Sequence, residues 1–304
     1  MPRTLFASLF LLTTAAWPAD IKQGVAAKNI TTVKFQSESL GQERAFNILL
    51  PLDYESSTRR YPALYLLHGY GQGGSSWSYM TNLSGYAARH ELIVVMPDAS
   101  NSWYVNGVAD PKARFEDYIV KDIIGYVDSH YRTVPLPRAR AVAGLSMGGY
   151  GAAFLGLKHY RLFTAIGTFS GALTAAHDIP TEHDTEQVRE FQQEILPVFG
   201  PPGSPEREQR DPLALVEKVP PAEMPMIYVA CGPGRPPQGE PPVRPVASGK
   251  EDPLRVPRNL PALALLGFLG RPGEHFSGPF GQTRGLRRVG RLRRCVTSGQ
   301  PCDP

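Results

Sequence analysis

A serine between two glycines is the clearest candidate for chemistry in the sequence. The stretch Gly144-Leu145-Ser146-Met147-Gly148 has the pattern Gly-x-Ser-x-Gly, and it lies between an apolar run at 141–143 and a helical pattern. A serine on such a strand–turn–helix connection is held on a tight turn, and the glycines avoid clashes with the strand and the helix. The start of the helix supplies backbone amides that stabilise a negatively charged oxygen. These features make Ser146 a candidate nucleophile; the alternative is a glycine-rich turn with an incidental serine.

A second glycine-containing loop supports the first interpretation. His68-Gly69-Tyr70-Gly71 directly follows the apolar run Ala63–Leu67. Gly69 would let the backbone turn so that the amide of Tyr70 points at a substrate oxygen, and the amide of Met147 would be the second donor of an oxyanion hole. We interpret His68 as a residue that orients this loop by hydrogen bonds rather than as a catalytic base.

The elements around these two loops predict a parallel sheet wrapped by helices. Short apolar runs are typical of strands buried on both faces, and here they alternate with segments whose apolar residues recur at helical spacing. A segment rich in Glu, Gln and Pro at 178–212 is a candidate cap over the carboxyl end of the sheet. The predicted strands are 32–40, 45–51, 63–67, 92–96, 141–143, 165–169 and 226–230, and the predicted helices are 115–131, 149–157 and 211–219.

Together the motifs resemble the Putative esterase family of α/β-hydrolases, which includes feruloyl and acetyl esterases, tributyrin esterases, S-formylglutathione hydrolase and the antigen 85 mycolyltransferases. The likeness runs from about Thr32 to Gly232 and is strongest at 65–71, 101–104 and 144–150. It implies an α/β-hydrolase fold, a mostly parallel sheet with helices on both faces. It also implies that Ser146 is the nucleophile.

The same resemblance implies the roles of the residues around the nucleophile. Tyr70 and Met147 would supply the two oxyanion amides. The expected substrate pocket, for the acyl or the alcohol group, contains His68, Trp77, Trp103 and Tyr104. Ordinary core packing is an equally good interpretation of each of these aromatic residues.

The acid and the base of a catalytic triad are missing where the resemblance places them. The family has an acid within a few residues of the strand that ends here at Gly232, and a later His-x-Trp, but here the strand is followed by Pro-Gly-Arg-Pro-Pro and no His-x-Trp occurs. A serine hydrolase needs a base for the serine proton and a carboxylate to hold that base. If the tail is translated as written, the candidates in triad order are His275 as base and Asp252 as acid; the alternative is that both are solvated residues without a role.

The last 72 residues also differ in composition from the rest of the chain. Residues 233–304 contain 12 Lys and Arg against 5 Asp and Glu, and they contain no Tyr, Ile or Met. We therefore hypothesise a reading-frame shift in this tail. With suitable synonymous codons, reading one nucleotide later converts 264–270 into His-Ser-Trp-Asp-Phe-Trp-Asp and places an aspartate within 234–236. As written, the tail is expected to be irregular, and its arginine clusters lack the interleaved aromatic residues of a nucleic-acid site.

The start of the chain predicts export. Arg3, an apolar run from Leu5 to Leu12 and small residues before Asp20 form the pattern of a signal peptide at 1–19, followed by a hydrolase domain at 20–232. The run is too short for a membrane anchor, so we expect a secreted or periplasmic protein without stable membrane insertion. The cysteines at 231, 295 and 302 lack metal-ligand spacing, so no metal or organic cofactor is implied. The oligomeric state stays open.

The predicted function is that of a secreted serine carboxylic-ester hydrolase. Its 304 residues, 42% hydrophobic and 20% charged, exclude a disordered chain or a disulfide-rich mini-protein. Short-chain acyl, acetyl or feruloyl esters, either small molecules or linked to a polysaccharide, are the expected substrates, and nucleic acid is not an expected partner. Two alternatives are an acyltransferase to a sugar hydroxyl and a non-catalytic binding protein that keeps the fold without a complete triad.

Overall fold

A seven-stranded sheet organises the part of the chain that the computed structural model describes, which is residues 30–88, 90–177 and 185–230. The predicted signal peptide, the first seven residues (178–184) of the candidate cap at 178–212 and the tail from 231 onward lie outside these ranges. The strands are β1 (Ile30–Ser37), β2 (Gln42–Leu49), β3 (Ala63–Leu67), β4 (Ile93–Pro97), β5 (Arg140–Leu145), β6 (Ala165–Phe169) and β7 (Met226–Ala230).

The strand order is β1-β2-β4-β3-β5-β6-β7, with antiparallel pairs at one side only. β1 pairs with β2, and β2 with β4, in antiparallel fashion, whereas β4, β3, β5, β6 and β7 run parallel to one another. Because parallel strands end at the same edge, the loops after β3, β5 and β6 begin side by side. The order is the mostly parallel sheet of an α/β-hydrolase, which confirms the predicted fold class.

Helices cover both faces of this sheet. They are α1 (Ser76–Met80), α2 (Leu83–Ala87), α3 (Phe115–Asp117), α4 (Ile124–His130), α5 (Met147–Lys158), α6 (Glu186–Phe199), α7 (Pro205–Glu208) and α8 (Pro212–Lys218). A π-helical stretch, Tyr118–Ile123, joins α3 to α4, and short 3-10 turns occur at Pro137–Ala139 and Pro221–Glu223. Within the described ranges no helix is long and apolar enough to cross a membrane.

The central strands separate two hydrophobic cores. Alternate residues of β3 point to opposite faces, so Tyr65 and Leu67 join the core beneath α5, and Leu64 and Leu66 join the core beneath α1 and α2. Every residue of β3, β4 and β6 is buried. This two-sided burial explains why these strands read as continuous apolar runs in the sequence.

The ends of several elements are set by polar side chains. Thr185, Ser204 and Asp211 each accept a backbone N–H of the helix that they precede, and a proline occupies the first turn of α7 and of α8. The predicted strand 32–40 ends earlier, at Ser37, because the hydroxyls of Ser37 and Ser39 bond to the carboxylate of Asp122 and begin a turn there.

Candidate active site

Ser146 occupies a strained turn between β5 and α5. Its backbone angles are φ 55° and ψ −115°, a conformation that side-chain-bearing residues rarely adopt. Its amide donates to the carbonyl of Phe169 at 3.0 Å, and its carbonyl accepts from Tyr150 at 3.0 Å and from Ala172 at 3.2 Å. The backbone is thus held from three sides while the residue itself is exposed. The turn presents the serine hydroxyl to solvent at the carboxyl edge of the sheet.

A close backbone approach explains the second glycine of the motif. A Cβ atom at Gly148 would lie 2.3 Å from the carbonyl oxygen of Leu67 and 2.6 Å from that of His68. Both neighbours are backbone atoms at the end of β3, so they cannot turn aside as a flexible side chain could. The absence of a side chain therefore lets the first turn of α5 lie against the loop that follows β3.

The two candidate oxyanion amides lie on the segments that follow β3 and β5. Leu67 pairs with Gly144 in the parallel register, so the segments after β3 and β5 leave the sheet side by side. Met147 is the first residue of α5, where amides have no carbonyl partner in their own helix. Tyr70 lies three residues beyond Leu67, and its amide has no hydrogen-bond partner within the described part of the chain. The geometry is compatible with the predicted two-donor oxyanion hole, whose roles stay predictions.

Side chains fix the loop on either side of Tyr70. The amide of Gly69 donates to Gln72 Oε1 at 2.8 Å, and the amide of Gly71 donates to Asn101 Oδ1 at 2.8 Å. The carbonyl of Gly69 accepts from the amide of Gln72 at 3.2 Å. The carbonyl end of the peptide that carries the Tyr70 amide is therefore bonded, and the amides of both neighbouring residues are bonded to side chains.

His68 is buried beneath this loop, and its ring is used for loop structure. Its Nδ1 donates to the carbonyl of Gly69 at 2.8 Å, and its Nε2 accepts from the amide of Ala99 at 3.1 Å. Only the neutral imidazole can make this pair of bonds. Burial lowers the pKa of His68, which favours the same neutral form. These bonds match the loop-orienting interpretation, and they leave neither ring nitrogen facing solvent.

The three predicted pocket aromatics are also buried. Trp77 packs on Phe169 and donates its indole N–H to the carbonyl of Leu67 at 2.9 Å. The hydroxyl of Tyr104 donates to the carbonyl of His68 at 2.9 Å. Trp103 packs between the Tyr70 loop and α6, with its ring 6.2 Å from that of Tyr70 and 5.9 Å from that of Phe191 on α6. Helix α6 thus packs over the side of the site that Trp103 occupies.

The candidate base and acid of the tail, His275 and Asp252, lie outside the described residues. A histidine–carboxylate pair that the sequence did not indicate lies within them. His177 Nδ1 donates to Asp211 Oδ2 at 2.8 Å; the His177 side chain is 58% exposed and that of Asp211 only 7%. The second oxygen of Asp211 accepts the amide of Leu213 at 2.8 Å. The imidazole is therefore held by a fixed carboxylate with Nε2 on its other side.

This pair belongs to segments that reach the strained turn at Ser146, although among the described residues no hydrogen bond joins the pair to Ser146 itself. Ala172, whose amide bonds to the carbonyl of Ser146, begins the turns that lead to His177. Tyr150, one turn into α5, bonds through its hydroxyl to the carbonyl of Arg210 beside Asp211. Residues 34 positions apart carry no short motif, so only the fold could bring them together.

The sheet and the strained serine turn together define the class of α/β-hydrolases. A family model described as "Putative esterase" matches residues 37–241, which is more than half of the chain. The chain belongs to this family, as the motifs around Ser146 and Tyr70 predicted.

Individual relatives agree with this assignment. The chain is 28% identical over 215 residues to an acetyl esterase of Caldicellulosiruptor saccharolyticus, covering 67% of this chain and 79% of the relative. It is 34% identical over 153 residues to an esterase of Mycobacterium tuberculosis, covering 48% of this chain, but it spans only 33% of that relative's length. A fluorophosphonate-binding serine hydrolase of Staphylococcus aureus shares the fold, with a TM-score of 0.55 and 21% identity over 67% of this chain and 79% of that one.

Proposed function

We propose that this chain hydrolyses carboxylic esters through an acyl-enzyme formed on Ser146. The observation that carries the proposal is the position of Ser146, exposed on a strained turn directly before the helix-start amide of Met147. The adjoining loop after β3 carries the Tyr70 amide, which has no hydrogen-bond partner among the described residues. A nucleophile needs access to the substrate and donors aimed at the oxygen that becomes negative. Membership of an esterase family supports the same reaction.

In the proposed reaction Ser146 Oγ attacks the ester carbonyl carbon. Its proton passes to a base, the carbonyl oxygen becomes an oxyanion held by the two amides, and the base returns the proton to the departing alcohol. Water then attacks the acyl-enzyme by the same route and releases the acid. His275, held by Asp252, is the proposed base; the exposed ring of His177 beside Asp211 is the second candidate because of its geometry.

The proposed substrates are acetyl, feruloyl or other short-chain acyl esters. The similarity to an acetyl esterase favours a small acyl group. The proposed signal peptide at 1–19 favours an ester outside the cytoplasm, including one linked to a polysaccharide.

The first experiment compares the chain with its Ser146→Ala variant. We expect release of p-nitrophenol from p-nitrophenyl acetate and covalent labelling by a fluorophosphonate. Ser146→Ala should abolish the labelling and leave only residual p-nitrophenol release. Ser129→Ala is the matched control, because Ser129 is exposed on α4 and, among the described residues, bonds to the carbonyls of its own helix and to the neighbouring His130. Hydrolysis that is equal in the chain and in Ser146→Ala would refute the proposal.

A second comparison identifies the base. His275→Gln and His177→Gln are tested separately for p-nitrophenol release, and loss of the true base should leave a residual rate that is still roughly 10³–10⁴-fold above water. Product analysis with an added sugar acceptor separates hydrolysis from acyl transfer. Ligand binding without fluorophosphonate labelling would instead favour the non-catalytic alternative.

A further inference from the structure

Helix α6 contacts the side chain of the residue whose amide is the proposed oxyanion donor. The hydroxyl of Tyr70 donates to Glu194 Oε1 on α6. Burial, followed by the adjoining Glu194 carboxylate, raises the pKa of Tyr70, so the hydroxyl keeps its proton and remains a donor. The contact joins residues 124 positions apart in the chain.

Aromatic packing places α6 on the same side of the loop. The Trp103 ring lies 6.2 Å from Tyr70, 5.9 Å from Phe191 and 5.4 Å from Phe199. Phe191, Glu194 and Phe199 lie on one helix, so Tyr70 is held through its hydroxyl by α6 and through its ring by Trp103. The partly buried side chain of Tyr70 is therefore contacted by helix α6 and by the loop that carries Trp103.

The other side of α6 is anchored to the body of the protein. The buried guanidinium of Arg207 donates to Gln192 Oε1 at 2.7 Å and to the carbonyls of Ala175 and Ala176 at 3.0 and 3.2 Å. Ala175 and Ala176 follow the segment whose Ala172 amide bonds to Ser146. The helix that holds Tyr70 is thus fixed relative to the serine turn.

The peptide that carries the Tyr70 amide is held at its carbonyl end, where the Gly69 carbonyl accepts from His68 Nδ1 at 2.8 Å and from the Gln72 amide at 3.2 Å. Its two neighbouring amides are bonded to Gln72 and Asn101, but the Tyr70 amide has no partner in the described part of the chain. Rotation of this peptide would turn the amide away from the substrate oxygen. The bond from the Tyr70 hydroxyl to Glu194 adds a second restraint at the other end of this peptide, because the Tyr70 side chain and amide share one Cα atom.

We propose that Glu194, acting through the hydroxyl of Tyr70, is a positioning residue that aims the Tyr70 amide into the oxyanion hole and thereby couples α6 to acylation of Ser146. This inference rests on the proposed function. Because only the hydroxyl contact is involved, Tyr70→Phe removes the tether and leaves the backbone donor in place.

The test measures the rate of Ser146 labelling by a fluorophosphonate and the kcat and KM for p-nitrophenyl acetate. Tyr70→Phe and Glu194→Ala should each lower the labelling rate and kcat by about three- to tenfold, the worth of one hydrogen bond of ordinary net strength, with KM unchanged. The double variant should lose no more than Tyr70→Phe alone, because that variant already removes the bond to Glu194. Glu194→Gln keeps an acceptor oxygen and should recover most of the rate.

Glu190→Ala is the matched control, since Glu190 is exposed one turn earlier on the same helix. Wild-type rates in Tyr70→Phe and Glu194→Ala, or losses that add in the double variant, would overturn the inference. Hydrogen exchange of the peptide covering 68–74 gives a readout independent of activity, and it should be faster in both single variants than in Glu190→Ala. If the unaltered chain shows no labelling, the proposed function fails, whereas unchanged exchange in both variants defeats the positioning role.

Discussion

Gly148→Ala tests whether the close approach of α5 to the end of β3 builds the site. The added Cβ would lie 2.3 Å from the carbonyl oxygen of Leu67, whereas a favourable contact needs about 3.5 Å. The first turn of α5 must therefore move by about 1 Å, and Ser146 and the Met147 amide move with it. Such overpacking typically costs about 1–3 kcal/mol of stability. A displacement of this size at reacting groups costs roughly 100-fold in rate.

The assay combines urea unfolding with hydrolysis of p-nitrophenyl acetate. We expect Gly148→Ala to stay folded, to unfold at lower urea and to lose far more activity than its stability loss explains. Gly125→Ala is the control, because Gly125 is an exposed position of α4 where a Cβ meets nothing within 4 Å. That variant should keep full activity and gain about 0.5–1 kcal/mol. Unchanged activity and stability in Gly148→Ala would refute the reasoning.

Three other predictions concern separate parts of the chain. Arg207→Met should lower the free energy of unfolding by roughly 3 kcal/mol in urea titrations, because buried acceptors such as Gln192 Oε1 lose their donor; a loss under about 1 kcal/mol would contradict this. Burial lowers the pKa of His68 in the folded protein below its ordinary value of 6.5. Between the two pKa values the unfolded chain binds a proton at His68 that the folded protein does not, so the free energy of unfolding falls as the pH drops below 6.5. His68→Asn should flatten that slope in unfolding curves from pH 5 to 7, and an unchanged slope would count against it. Sequencing codons 225–304 should reveal one inserted or lost nucleotide near codon 233, and an intact frame would reject the frame-shift hypothesis.

Local patterns were sufficient to predict most of the sheet. The strands at 63–67, 165–169 and 226–230 have the predicted bounds, because a short, wholly apolar run between turns has few other stable conformations. The pattern around Ser146 likewise indicated a turn between a strand and a helix. Glycines occur on both sides of the serine because a side chain at either position would clash with neighbouring backbone atoms. Family membership followed from the same short motifs.

Pairs of residues that are distant in the chain were decided by the tertiary structure alone. The bond between Tyr70 and Glu194 spans 124 positions, and the bond between His177 and Asp211 spans 34. Neither pair has a local signature, because each partner's own segment is compatible with many neighbours. The insertion of β4 between β2 and β3 also carries no local signal. The sequence by itself determined the turn that exposes the serine. Only the tertiary structure decided that α6 packs on Trp103 and contacts Tyr70, because that contact depends on how distant parts of the chain come together.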